Sequence, residues 1–151
     1  RPLVSSPVAI VGVGIDLVSI PDFAEQVDQP GTVFAETFTP GERRDAADKS
    51  SVAARHLAAR WAAKEAVVKA AGGGLRDVAR VDTTAAADLC KLDGRLWRTQ
   101  AVPVGRGHVA HLAMTDGPGE VRFKRVSRQA LERGSTSDDH AASDVKIGAV
   151  L

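Results

Sequence analysis

Two acids in this chain, Asp16 and Glu65, stand beside residues that suit a phosphate group. Asp16 follows Gly12 and Gly14 at the end of an apolar run. Glu65 lies among alanines, with Arg60, Lys64 and Lys69 nearby and Gly72, Gly73 and Gly74 soon after. Phosphoryl-type transfer needs a divalent metal to neutralise phosphate oxygens, and magnesium takes one or two carboxylates plus water and substrate phosphates. Two acids are therefore enough, and cations with free backbone N–H groups could meet a polyphosphate beside them. Plainer readings stay open. Glu65 and Lys69 have the i,i+4 spacing of a surface ion pair. Asp16 could accept a bond from a following turn amide. Three glycines commonly stop a helix, although they could also form a generic phosphate-binding module with no role for Asp16.

The elements that must position these residues can be read from periodicity. Val8 to Leu17 has strand length, with Ile10, Gly12, Gly14 and Asp16 on one face and Ala9, Val11, Val13, Ile15 and Leu17 on the other. The apolar face is expected to meet a core, and the glycine face to be approached by a helix or ligand. Ser19, Pro21 and Asp22 open a helix running through Phe23 to Val27, and Thr39-Pro40-Gly41-Glu42 forms a capping-box start. A helix is expected from about Ser51 to Ala71, capped by Ser50 or Ser51 and ended by the glycines. Ala54, Leu57, Trp61 and Val68 share its apolar stripe, with Ala58, Ala62, Glu65 and Lys69 on the flank. Further on, Val78 to Thr83 and His108 to Thr115 read as strands, Asp93-Gly94 as a hairpin turn, and Glu120 to Val126 as weakly alternating. Arg133 to Ser143 is polar.

Composition excludes little. The chain has 151 residues, 44% hydrophobic and 26% charged, with a formal net charge of +1. That fits one domain and marks neither a nucleic-acid nor a membrane binder. Val8 to Leu17 is far short of the roughly 20 residues of a membrane helix, so a soluble, cytoplasmic protein is expected. Arg1 to Pro7 reads as an extension without signal-peptide features. Cys90, the single cysteine, has no neighbour that would activate it, and His56, His108, His111 and His140 lack metal-ligand spacing. Arg43 and Arg44 read as a solvated face on which an acidic partner could dock.

Two segments carry a resemblance. Gly12-Val13-Gly14-Ile15-Asp16-Leu17 and Arg60-Trp61-Ala62-Ala63-Lys64-Glu65-Ala66-Val67-Val68-Lys69-Ala70 resemble the two signature motifs of the holo-acyl-carrier-protein synthases, in the same order. Phe38-Thr39-Pro40-Gly41-Glu42-Arg43 resembles the family's connecting segment. The resemblance implies a single α+β domain of the 4'-phosphopantetheinyl transferase type, an antiparallel sheet with a long packed helix, that forms homotrimers with the active site between subunits. It implies transfer of 4'-phosphopantetheine from coenzyme A, the co-substrate, to a serine of apo-acyl carrier protein. Asp16 and Glu65 match the acids that hold magnesium, or manganese, against the coenzyme A pyrophosphate. Lys69 matches a phosphate-contacting lysine, Arg60 and Lys64 occupy basic positions lining that site, and Gly72 and Gly73 would complete it. Glu65, or water it activates, is the candidate base.

The likeness covers residues 8–72 well and residues 73–126 poorly, and residues 127–151 read as a loose tail. Asp93-Gly94-Arg95-Leu96-Trp97 echoes a family Gly-[KR]-Pro turn without the proline. His111-Leu112-Ala113-Met114-Thr115-Asp116 echoes a terminal H-V-S-[LI]-[ST]-H strand with alanine for serine and aspartate for histidine. The stretch between Gln100 and Gly107 is too short for the helix the family carries there. The docking helix is usually basic in this family, whereas Asp22 to Gln29 here is acidic. A non-catalytic coenzyme A-binding or scaffold relative is the alternative function.

Overall fold

In a computed structural model, residues 12–48, 52–84, 88–115 and 121–133 are described. The chain divides into two compact units, residues 1–117 and 118–151. In the first, the elements run β1 (Val13–Ser19), α1 (Ile20–Gln26), α2 (Val33–Thr37), α3 (Pro40–Ala47), α4 (Ala53–Ala70), a 3-10 turn (Leu75–Arg80), β2 (Asp82–Thr83), β3 (Leu89–Leu92), β4 (Arg95–Ala101) and β5 (His108–Thr115). The sheet is antiparallel, in the order β1-β5-β4-β3-β2. This is the expected α+β class, with α4 laid across the sheet.

Local signals were read correctly where the chemistry is local. Ser19 caps α1, its hydroxyl accepting from the Asp22 N–H at 3.5 Å. The capping box at α3 is complete: the Thr39 hydroxyl accepts from the Glu42 N–H at 3.1 Å, and Glu42 Oε2 accepts from the Thr39 N–H at 3.0 Å. Asp93 and Gly94 take φ of 51° and 80°, the left-handed pair that a two-residue hairpin requires between β3 and β4. Cys90 is free and buried in β3, and burial pushes its thiol up to about 12, so it is inert as a nucleophile.

Other expectations changed. The glycine face of β1 is approached by a helix, as expected, but its apolar face does not meet the core. Gly14 is buried against α4, where a Cβ would fall on the Ala66 carbonyl oxygen, and one on Gly12 would stand 2.6 Å from the Ala70 carbonyl oxygen. Val13, Ile15 and Leu17 are instead 41%, 41% and 60% exposed. The physical reason is distance: β1 can touch the helix backbone only where that face carries no side chain, at Gly12 and Gly14. Helix α4 begins at Val52 without a side-chain cap; Ser50 and Ser51, like Val8 to Val11, lie outside the described residues. Its burial is not a stripe but runs round the helix, taking in Leu57, Trp61, Val67 and Val68 together with Arg60 and Lys64. The sheet covers one side of α4, and α1 and α3 cover others.

Helix α2, missed in the sequence, is capped by Thr32 after a Pro30-Gly31 turn and seats Phe34 against Phe23 and Trp61, at ring-centroid distances of 5.5 and 4.5 Å. Val78 to Thr83 is not one strand: it is mostly the 3-10 turn, whose Val78 is fully buried, and only Asp82 and Thr83 pair with β3. Residues 102–107 contain no helix. In the second unit, residues 121–127 have no regular structure. A short helix α5 (Arg128–Glu132) follows, with Arg128 bonded to Glu132 at 3.2 Å. Residues 134–151 lie outside the description. Among the described residues no helix is long and apolar enough to cross a membrane.

Candidate active site

Strand β1 carries Asp16 on its helix-facing side, in register with His111 of β5. In the last turn of α4, Lys69 reaches across to it: Lys69 Nζ donates to Asp16 Oδ1 at 2.6 Å and to the Ile15 carbonyl at 3.3 Å. The expected i,i+4 surface pair thus gives way to a link of helix to strand, with Glu65 one turn before Lys69 on α4. Asp16 and Glu65 line one cleft of about 330 Å³, together with Ser19, Asp22 and Gln26 from the start of α1 and the edge of Trp61. Neither Ser19 nor Gln26 was singled out for the site in the sequence. Their only signal was position, because α1 starts where β1 ends.

The electrostatics of the cleft follow from this geometry. Burial raises the Asp16 carboxyl above its ordinary value, against the lowering effect of Lys69. Glu65 is also raised, first by burial and then by the charge on Asp16, with Lys69 opposing. Two carboxylates that resist joint ionisation form a site that a cation relieves. Among the described residues no group of three or more His, Cys, Asp or Glu side chains could hold a metal, so a transition-metal cage does not fit. Two carboxylates beside open space do fit magnesium, which keeps water and substrate oxygens in its remaining positions.

The structure departs from expectation at Arg60 and Lys64. Both are buried on another flank of α4, in an ion cluster around Glu42. Lys64 Nζ donates to Glu42 Oε2 at 3.0 Å and to the Thr37 carbonyl at 3.2 Å. Arg60 pairs with Asp45 at 3.3 Å and stands 4.0 Å from Glu42, while the Thr83 hydroxyl donates to Glu42 Oε1 at 2.8 Å. Lys64 and Glu65 are neighbours in sequence but lie 100° apart round the helix, so they cannot both face the cleft. Their charges are used inside the fold, tying α3 and β2 to α4.

Gly72 and Gly73 also take a different part from the one expected. The Gly72 N–H bonds to the Lys69 carbonyl at 3.2 Å and the Gly73 N–H to the Val68 carbonyl at 2.9 Å, and Gly72 has φ 76°. This is a Schellman stop. The Gly74 N–H bonds to Asp77 Oδ2 at 2.9 Å. All three amides are occupied within the chain, which removes the basis for a phosphate cradle there.

Comparison with known proteins agrees with the fold. The family model for the 4'-phosphopantetheinyl transferase superfamily matches residues 12–113, well beyond residue 72. Holo-[acyl-carrier-protein] synthase of Mycobacterium sp. (strain KMS) is 92% identical over 65 residues, which are 43% of this chain and 50% of that protein. The protein of the same name from Mycolicibacterium smegmatis is 95% identical over 62 residues, 41% of this chain and 48% of its own length. The chain thus spans about half the length of the curated relatives it matches. Among solved structures, the ACPS-CoA complex of Chronobacterium ammoniagenes is 32% identical, with a TM-score of 0.53 over 68% of this chain and 94% of that one. Holo-[acyl-carrier-protein] synthase of Neisseria meningitidis, 24% identical with a TM-score of 0.55, shares the fold over 72% of this chain and 100% of its own. With the sheet, the packed helix and both motif acids in place, this chain belongs to the 4'-phosphopantetheinyl transferase superfamily.

Proposed function

We propose that this chain transfers 4'-phosphopantetheine from coenzyme A to a serine of apo-acyl carrier protein, giving holo-acyl carrier protein and adenosine 3',5'-bisphosphate. The observation that carries the reading is the meeting of Asp16 and Glu65, from distant parts of the sequence, at one cleft with Lys69 bonded to Asp16. Asp16 and Glu65 would hold magnesium, which supplies charge neutralisation to the pyrophosphate oxygens. Lys69, 48% exposed on its side chain, is free to turn from Asp16 toward a phosphate oxygen. The carrier serine oxygen forms a bond to the phosphorus attached to pantetheine, and the pyrophosphate bridge breaks with its oxygen leaving on the adenosine bisphosphate. Glu65, directly or through a water, takes the serine proton. The test is transfer from labelled coenzyme A to an apo carrier, with and without magnesium; label that appears equally without the metal overturns the reading.

Proton and metal compete for the same carboxylates. Because both are raised, magnesium affinity begins to fall with decreasing pH above the ordinary carboxylate range of about 4, and Glu65→Gln removes part of that dependence. Calorimetric titration with magnesium across pH measures it, and a profile that stays flat until the ordinary carboxylate range is reached would refute it. The sign for stability is the opposite. A raised acid pKa means that the ionised pair costs the metal-free fold stability at neutral pH, a cost relieved as the pH falls through the raised values.

The outward row of Val13, Ile15 and Leu17 supports self-association through the open face of the sheet, as a homotrimer. Sedimentation should give three times the monomer mass of 15.8 kDa, and Leu17→Lys should lower it; a monomer at micromolar concentration would rule the trimer out.

A further inference from the structure

A second cavity in the same unit has the opposite sign from the acidic cleft. It measures about 320 Å³ and lies where the first turns of α4 pass the connection between β4 and β5. Arg55 and His56 line it from the helix, His108 and His111 from β5, and Pro103 and Val104 supply an apolar side. No acid lines it, whereas Asp16, Asp22 and Glu65 line the cleft and no cation does.

Two of its groups lack partners. Arg55 is exposed and makes no ion pair among the described residues. His111 is only 6% exposed, and its Nδ1 is buried with no hydrogen-bond partner. A buried polar atom left this way keeps its full desolvation cost, and a ligand that meets it recovers that cost. A guanidinium is always charged, and its fork matches two phosphate oxygens.

We propose that this cavity binds a phosphate monoester. Arg55 engages the phosphate oxygens, His108 and His111 add ring N–H donors, and the Pro103–Val104 wall packs against the organic group that bears the phosphate. The site does not depend on the transferase reading, since it uses none of Asp16, Glu65 and Lys69. His111 is the ladder partner of Asp16, so the cavity adjoins the cleft across the β1–β5 pair. The phosphate could therefore be that of a separate small molecule or the 3'-phosphate of coenzyme A.

The test is an NMR titration of the full chain with inorganic phosphate in magnesium-free buffer. Saturable shifts are expected at the His108 and His111 rings and the Val104 methyls. The apparent Kd should rise at least about tenfold in Arg55→Ala/His108→Ala, a loss of about 1.4 kcal/mol, and stay unchanged in Asp16→Asn. Arg55 and His108 are exposed, so the variant should keep the wild-type melting temperature; Arg55→Glu provides a second, charge-reversed check. Coenzyme A is then compared with dephospho-coenzyme A. Ring shifts with coenzyme A alone assign the site to its 3'-phosphate, no ring shifts with either assign it to a separate phosphate monoester, and equal shifts with both, which need no monoester, overturn the proposal. Shifts that do not saturate, that persist in both variants, or that appear only around Asp16 and Glu65 overturn the proposal.

Discussion

Asp16→Ala and Glu65→Ala should each lower magnesium-dependent transfer to an apo carrier at least about 10³-fold, equivalent to about 4 kcal/mol of transition-state stabilisation. The size follows from the small number of ligands. With Asp16 and Glu65 as the two metal-holding carboxylates, losing either leaves the metal a single protein carboxylate beside water and substrate. The fold should survive both changes. Each removes a carboxyl whose ionisation the folded chain resists, and the cation left behind by Asp16→Ala, Lys69, is 48% exposed and can reach solvent. The double variant should lose little more than the single ones, because the two acids act as one site. Transfer that persists within tenfold of wild type in either variant would sink the assignment. Tight coenzyme A binding by the unmodified chain, with no transfer to any carrier, would instead favour a non-catalytic relative.

What could be read from the sequence was what short-range chemistry fixes. Ser19 and Thr39 each cap with a residue three positions away, and Asp93-Gly94 sets its own turn, so these elements followed from a few letters. The two motif acids could be named, but their meeting could not be derived, because it depends on β1 lying against the last turns of α4. That contact is made possible by Gly12 and Gly14, and the same fact turned the apolar face of β1 away from the core. Hydrophobicity alone pointed the valines and isoleucine inward. The closeness of two backbones decided otherwise and left Val13, Ile15 and Leu17 facing out. Likewise, the burial of Arg60 and Lys64 could not be seen from α4, because the acid that neutralises them, Glu42, already had a complete local role as a capping-box residue. A residue that satisfies one motif gives no sign of a second duty.

That second duty predicts the largest stability effect in the molecule. Lys64→Ala should cost about 3–5 kcal/mol, because it leaves the buried Glu42 carboxylate without its closest cation and opens space in a close-packed interior. The midpoint of denaturant unfolding measures this, with the slope as a check on two-state behaviour. Lys64→Met combined with Glu42→Gln should recover most of the loss, since neither partner then carries a buried charge, the amide oxygen introduced by Glu42→Gln can still accept from the Thr39 N–H, and its NH2 group can donate to the Thr83 hydroxyl. A phosphate-binding lysine behaves differently: its loss would raise the KM for coenzyme A, leave unfolding unchanged, and gain nothing from a change at Glu42. Recovery in the double variant is therefore the discriminating result. Its absence, with normal stability in Lys64→Ala, would return Lys64 to the substrate site. Because α3 and β2 are held to α4 through the same cluster, a destabilised single variant should also lose protection from hydrogen exchange first at Pro40–Ala47 and Asp82–Thr83, while β1 and Asp16 on the far flank stay protected longer.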